Sequence, residues 1–226
     1  MFDVFADRET AGRLLAARLQ ELAPRHPVIY ALLRGGVPLA LEIANALMAP
    51  LDLLFVRKIG VPWHEELAAG AVVDGEQPDI VLNEDVIRAV GLTEAQVRAL
   101  GKPQLTEIER WRALFMPGGR PIPARGRTAI LVDDGVATGA SMRAAIAAVR
   151  RRGPARIMVA VPVAAARTAM ELQTLADEVV CLTTPPGFGS VGQFYRDFHQ
   201  LTDEEIINQL KRRAPASSDP EPSQSG

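Results

Sequence analysis

Two adjacent carboxylates, Asp133 and Asp134, close an apolar run and are followed at once by a turn of glycine, hydroxyl and small residues, DDGVATGAS over 133–141. Paired acids in that setting accept hydrogen bonds from sugar hydroxyls or hold a metal, but they repel phosphate. The turn offers the opposite chemistry. Gly139 and Ala140 let the backbone approach a ligand closely, and Thr138 and Ser141 add hydroxyls beside amides that a helix start leaves unpaired, a setting that favours an anion. Sugar hydroxyls on the acids and a phosphate on the turn together describe a ribose 5-phosphate. A second strand, glycine turn and helix lies upstream: an apolar run ending at Leu33 gives way to Arg34, Gly35 and Gly36, with Pro38 opening a helix. Arg57 and Lys58 close a third apolar run, Leu51 to Val56. Two cations at the carboxyl end of a strand would neutralise diphosphate charge, and a solvated strand end is the plainer alternative.

The elements that must position these residues follow from periodicity. Ile130, Leu131 and Val132 read as a buried parallel strand feeding an alanine-rich helix that ends near Gly153. Asp7 caps a helix to about Leu22, with Ala11, Leu14, Leu15, Leu19 and Leu22 on one face. Val28 to Leu33, Arg156 to Val163 and Glu178 to Thr183 are further strands, separated by helices to about Met48 and from Ala165 to Ala176. This alternation predicts an α/β fold, a doubly wound and mostly parallel sheet with helices on both faces. Ligands of such sheets bind beyond the carboxyl ends of the strands, where both turns fall. Residues 76–127 read as a helical insertion that covers the site or makes a dimer contact. It holds a short strand from Asp79 to Leu82, a short helix capped by Asn83, a capping-box pair at Thr93 and Gln96, and a longer helix beginning near Pro103. A last helix starts at Thr202, so that one domain occupies 1–213. The Pro/Ser-rich stretch 214–226 reads as a disordered tail.

Composition bounds the function. A chain of 226 residues with 48% hydrophobic content and a net charge of −2 suits one α/β domain. The near-neutral balance argues against nucleic acid as the main partner, and no apolar run reaches membrane-spanning length, so a cytoplasmic protein is expected. Cys181 is alone, which excludes a disulfide framework and a cysteine metal cluster; a buried, inert thiol is the default. Gly187, Gly189 and Gly192 spell GxGxxG, but the chain that follows has no room for the second strand and ribose-binding acid of a dinucleotide site.

DDGVATGAS resembles the phosphoribosylpyrophosphate (PRPP) motif of the type I phosphoribosyltransferases, and ALLRGGVP resembles that family's pyrophosphate loop. The resemblance implies that Asp133 and Asp134 bind the ribose 2- and 3-hydroxyls and that Gly135, Val136, Ala137, Thr138, Gly139, Ala140 and Ser141 form the 5-phosphate loop. Arg34, Gly35 and Gly36 would face the diphosphate after a cis peptide between Leu33 and Arg34. The candidate catalytic residues are therefore Asp133, Asp134 and Arg34, with Arg57 and Lys58 added to the PRPP-binding set. GVPWHEELAAGAVVDG occupies the place of the family's flexible loop, in which Trp63, Glu65 and Glu66 are weighed as stacking or charge-stabilising groups. TTPPGFGSVGQFYRDFHQL resembles the small C-terminal hood of the purine enzymes, here 184–200. Carried over, Phe188 stacks on a base beside Val191, and Asp197 lies near Mg²⁺. The implied partners are PRPP, a nucleobase-like acceptor and a second copy in a homodimer. Ala137 stands where the 6-oxopurine enzymes usually carry an aspartate, which counts against hypoxanthine or guanine. Two other readings stay open: a non-catalytic PRPP- or nucleotide-sensing protein, and a hydrolase or phosphorolytic enzyme using the same site.

Overall fold

Apolar strands without polar alternation need cover on both faces, and the folded chain supplies it. The computed structural model describes residues 4–75 and 78–212, apart from the side chains of 64–66. The tail expected over 214–226 and the roles weighed for Glu65 and Glu66 fall outside those described residues. In chain order the elements are α1 (Arg8–Leu22), β1 (Pro27–Leu32), α2 (Gly36–Ala46), β2 (Leu51–Leu54), β3 (Val56–Val61), β4 (His64–Val73), β5 (Asp79–Leu82), α3 (Glu84–Val90), α4 (Glu94–Phe115), β6 (Thr128–Val132), α5 (Ala140–Arg151), β7 (Arg156–Val163), α6 (Ala166–Gln173), β8 (Glu178–Thr183), a 3₁₀ turn (Val191–Phe194) and α7 (Asp203–Arg212).

Five strands pair in parallel in the order β2-β1-β6-β7-β8. Alternate residues of β1 serve two cores. Ile29 and Ala31 join the buried faces of α1 and α2, while Val28, Tyr30 and Leu32 join those of α5 and α6. The expected α/β sheet with helices on both faces is thus formed. Winding runs outward from β1 to β2 on one side and from β6 to β8 on the other, so the order reverses between β1 and β6. Their register, Ala31 opposite Val132, brings the Arg34 and Asp133 turns out of the sheet side by side. Such a switch point leaves a crevice between diverging turns.

The chain departs from expectation after Leu54. Leu51 to Val56 is not one strand: β2 ends, and β3 begins a second, antiparallel sheet in the order β3-β4-β5. Phe55 makes the corner, its N–H donating to Asp74 Oδ1 at 2.8 Å while Asp74 N–H donates to the Phe55 carbonyl at 3.0 Å. Arg57 and Lys58 consequently lie within β3, opposite Val72 and Ala71, and not at the carboxyl end of a parallel strand. The Arg57 guanidinium sits 4.8 Å from the Trp111 ring, and Lys58 is exposed. Likewise most of GVPWHEELAAGAVVDG is strand, with Trp63 exposed at the hairpin turn. Its alanines and glycines lack strand propensity but permit close packing. A Cβ on Gly101 of α4 would lie 2.9 Å from both Ile59 and Ile80, and one on Gly70 would lie 2.6 Å from the Val81 carbonyl.

The segment 76–127 contains β5 as well as helices. Thr93 and Gln96 form the expected capping box, but it opens α4 at Glu94, and Pro103 lies inside that helix. The carbonyl that Pro103 leaves without a donor belongs to Ala99, on the exposed side where water reaches it. Ile108 and Phe115 are buried, and Trp111 packs on Phe55 with ring centres 6.2 Å apart. No helix among the described residues is long and apolar enough to cross a membrane.

One buried charge cluster joins the two sheets. Arg112 Nε donates to Asp74 Oδ2 at 2.7 Å, its Nη1 lies 3.2 Å from Asp52 Oδ1, and its Nη2 donates to the Leu53 carbonyl at 3.0 Å. Asp52 Oδ2 accepts from Ile122 N–H at 2.8 Å. Burial pushes the Asp74 carboxyl up to about 6 against the pull of Arg112. Removing one member of such a cluster strands the others as uncompensated buried charge. Arg112→Met should therefore cost about 3–5 kcal/mol of stability in urea denaturation, and a loss near zero would show that the cluster is not what joins the sheets.

Candidate functional site

The turn after β6 is held from behind and open in front. Val136 N–H donates to the Val163 carbonyl at 2.9 Å, and Ala165 N–H donates to the Val136 carbonyl at 3.0 Å. Thr168 Oγ1 donates to the Ala137 carbonyl at 2.6 Å, and Arg143 Nη1 to the Thr138 carbonyl at 2.8 Å. With its carbonyls tied back, the turn reaches Gly139, whose φ of +75° is the left-handed conformation that glycine adopts without strain. Gly139 caps α5 with no side-chain hydrogen bond, so the first amides of this 12-residue helix keep their capacity for an anion. Thr138 is exposed and Ser141 half-buried beside them.

The turn after β1 packs directly on the acids. The Leu33–Arg34 peptide is cis, as the resemblance implied. A Cβ on Gly35 would fall inside the Asp134 carboxylate, and one on Gly36 onto the Val132 carbonyl. Only glycine allows this approach, so both glycines are needed to seat one turn on the other. Arg34 reaches across the crevice mouth, with Nη2 2.7 Å from Asp203 Oδ1 and Nη1 donating to the Leu201 carbonyl at 3.4 Å. Arg34, Gly35, Gly36, Asp133, Asp134 and the 135–141 turn are thus gathered at one switch point. Arg57 and Lys58 belong instead to the second sheet.

The segment after β8 folds over this crevice. A Cβ on Gly135 would lie 2.5 Å from Val191 Cγ1, which places Val191 directly on the acidic turn. Phe188 is half-buried and stacks on Phe194 with ring centres 5.3 Å apart. Asp197 is exposed, and its carboxylate is taken up by His199 Nδ1 at 2.9 Å, a hydrogen bond that holds its pKa below the usual carboxylate range. Cys181 is half-buried, its thiol pushed up to about 11 by burial, as expected of an inert thiol.

Three contributors were not foreseen. Arg8 Nε lies 2.8 Å from Asp134 Oδ2, with both side chains largely buried, and Arg8 Nη1 donates to the His199 carbonyl at 2.9 Å. The Arg8 guanidinium also sits 3.9 Å from the centre of the Phe198 ring. Tyr195 Oη donates to the Asp134 carbonyl at 2.6 Å. Arg8, Arg34, Gly35, Asp134, Phe198 and Leu201 line a cavity of about 370 Å³. A signal for Arg8 was present, since it shares the helical face of Ala11, Leu15 and Leu19, where a charge must find a partner inside.

Electrostatics single out the acid pair. Burial raises the Asp133 carboxyl well above its ordinary range, and the neighbouring Asp134 charge raises it further; the Asp134 N–H, donating to Asp133 Oδ1 at 2.9 Å, opposes this. Burial also raises Asp134, against the hydrogen bond and charge of Arg8. Ionising Asp133 at neutral pH is therefore easier in the unfolded chain than in the folded one, and the fold bears that cost once the pH exceeds the ordinary carboxylate range. Asp133→Asn keeps the acceptor for Asp134 N–H and removes the charge. It should raise the melting temperature at neutral pH, and the gain should vanish in acid, where both states are protonated. A melting temperature lowered at neutral pH would contradict this.

Comparison with known proteins agrees with the geometry. The phosphoribosyl transferase domain family matches residues 8–199. A Mycobacterium tuberculosis protein, provisionally named a phosphoribosyl transferase in two strains, is 46% identical over 209 residues, covering 92% of this chain and 47% of its own length. The chain spans about half the length of the curated relatives it matches. The crystal structure of TT1426 from Thermus thermophilus superposes with a TM-score of 0.78 at 40% identity, covering 92% of this chain and 97% of that one. With two glycine turns joined at the switch point of its sheet and this match along most of its length, the chain belongs to the phosphoribosyl transferase domain family.

Proposed function

We propose that the protein transfers the 5-phosphoribosyl group of PRPP to a nitrogenous base and releases diphosphate, with Mg²⁺ carried on the donor. The observation that carries this reading is the seating of the Gly35–Gly36 turn on Asp134, which gathers a glycine turn, a pair of acids and an open helix start around one crevice. In this reading Asp133 and Asp134 accept hydrogen bonds from the ribose hydroxyls. The amides at the start of α5, with the Thr138 and Ser141 hydroxyls, take the 5-phosphate. Arg34 and the backbone of Gly35 and Gly36 take the diphosphate. Departure of diphosphate leaves positive charge at the anomeric carbon, which an ionised carboxylate of the adjacent acid pair would stabilise. In this reading Val191, seated on Gly135, and Phe188, stacked on Phe194 in the same segment, are the groups that would meet an acceptor ring.

The donor set suits a cation carried mostly by substrate oxygens. Among the described residues no group of three or more ligating side chains is gathered, and Mg²⁺ is commonly held by one or two carboxylates plus substrate phosphates. Asp133 and Asp134 are the nearest carboxylates to the proposed ribose, and Asp197 would join only on release from His199. When bound, Mg²⁺ neutralises charge on the departing diphosphate. Ala137 presents an exposed methyl where the resemblance to 6-oxopurine enzymes would put an aspartate, which counts against hypoxanthine or guanine as the acceptor.

Calorimetric titration with PRPP and Mg²⁺, coupled to a diphosphate-release readout over a panel of nucleobases, tests the reading. Binding with base-dependent release is expected, and Asp133→Asn with Asp134→Asn in one chain should abolish both. Unchanged PRPP affinity in that double variant would refute the ribose assignment. Binding without release from any base would favour the sensing protein.

A further inference from the structure

We propose that Arg8 is a positioning residue for the ribose, acting through Asp134, and that it joins the N-terminal segment and the segment after β8 to the crevice. The inference rests on the assignment of Asp134 to the ribose hydroxyls. Asp134 emerges from β6, yet the side chains that fix it come from the start of α1 and from the segment after β8. Arg8 binds its carboxylate, and Tyr195 binds its carbonyl. These two supports form one unit. Phe5 N–H donates to the Phe194 carbonyl at 2.9 Å, Arg196 N–H to the Phe5 carbonyl at 2.9 Å, and Asp197 N–H to the Ala6 carbonyl at 3.0 Å, so residues 5–6 are bridged in parallel to 194–197. Phe198 bridges the supports, with its ring 5.0 Å from that of Tyr195 and under the Arg8 guanidinium.

The geometry separates this role from direct contact with diphosphate. Arg8 is only 8% exposed, its Nε is committed to Asp134, its Nη1 to the His199 carbonyl and its face to Phe198. A guanidinium so committed orients its carboxylate partner and keeps it charged, because a buried carboxylate without a countercharge would be protonated or would turn toward water. Arg34 lines the same cavity but is paired with the half-exposed Asp203, and its side chain keeps about a third of its surface open, the exposure that a diphosphate ligand requires. The two arginines thus divide the work: Arg34 faces the leaving group, and Arg8 sets the acid that holds the sugar.

The test is a comparison of three ligands on the full chain: Mg²⁺–PRPP, ribose 5-phosphate and Mg²⁺–diphosphate, titrated calorimetrically into wild type, Arg8→Gln and Arg8→Lys. Loss of a charge-assisted hydrogen bond predicts that Arg8→Gln weakens both ribose ligands about 10- to 100-fold and leaves diphosphate within about twofold. Arg8→Lys, which keeps the charge and loses the fork, should fall between. If Arg8→Gln does not fold, Tyr195→Phe removes only the hydroxyl on Asp134 and should show the same split at smaller size. Equal losses for all three ligands, a loss confined to diphosphate, or no loss would each overturn the inference. Wild-type protein that binds diphosphate but neither ribose ligand would overturn the ribose assignment beneath it, a result visible before any variant is made.

Discussion

A carboxylate taken out of water needs a countercharge and hydrogen-bond donors, and the surroundings of Asp134 are arranged around that requirement. Its side chain lies between Arg8 and the bare backbone of Gly35, and its carbonyl is capped by Tyr195. Each of these comes from a different part of the chain: the start of α1, the turn after β1 and the segment after β8. Their meeting fixes which strands must be neighbours, because the Gly35 turn can touch Asp134 only if β1 and β6 lie side by side. The reversal of winding between those strands, and the crevice it opens, follow from the same adjacency.

The second sheet answers a different need. Where β2 ends, the extended chain turns the corner at Phe55 into the antiparallel strands β3 to β5; Phe55 packs in one core with Val72 and with Ile108 and Phe115 of α4, and Leu54 packs in the other with Ala71 and Val73. Arg112 ties the arrangement by satisfying Asp52, Asp74 and the Leu53 carbonyl together. Two buried arginine clusters therefore bracket the molecule. Arg112 fixes one sheet to the other, and Arg8 fixes the start of α1 and the segment after β8 to the crevice.

Much of this was legible in the sequence because it depends on local signals. The run before Asp133, the Gly139 turn, the Arg34–Gly35–Gly36 turn and the Thr93 capping box all encode their geometry within a few residues, and the structure forms each of them. The hairpin over Val56–Val73 was not legible, since its alanines and glycines carry no strand signal; close packing by α4 and α5 makes it a sheet. The start of α4 was misplaced because Pro103 reads as a helix opening, whereas here an exposed Ala99 carbonyl tolerates it inside the helix. Arg8 was missed for a third reason. Its partner lies 126 residues away, and nothing local distinguishes a solvated first-turn arginine from one aimed inward, apart from its place on the buried face.

The central claim is that a ribose 5-phosphate group sits across Asp133, Asp134 and the start of α5. A crystal structure of the protein grown with Mg²⁺ and ribose 5-phosphate tests it most directly. The account predicts ribose hydroxyls within hydrogen-bond distance of the Asp133 and Asp134 carboxylates and phosphate oxygens on the amides of 138–141. Ligand density elsewhere on the molecule, or phosphate seated on the acids' side with the sugar turned away, would contradict it.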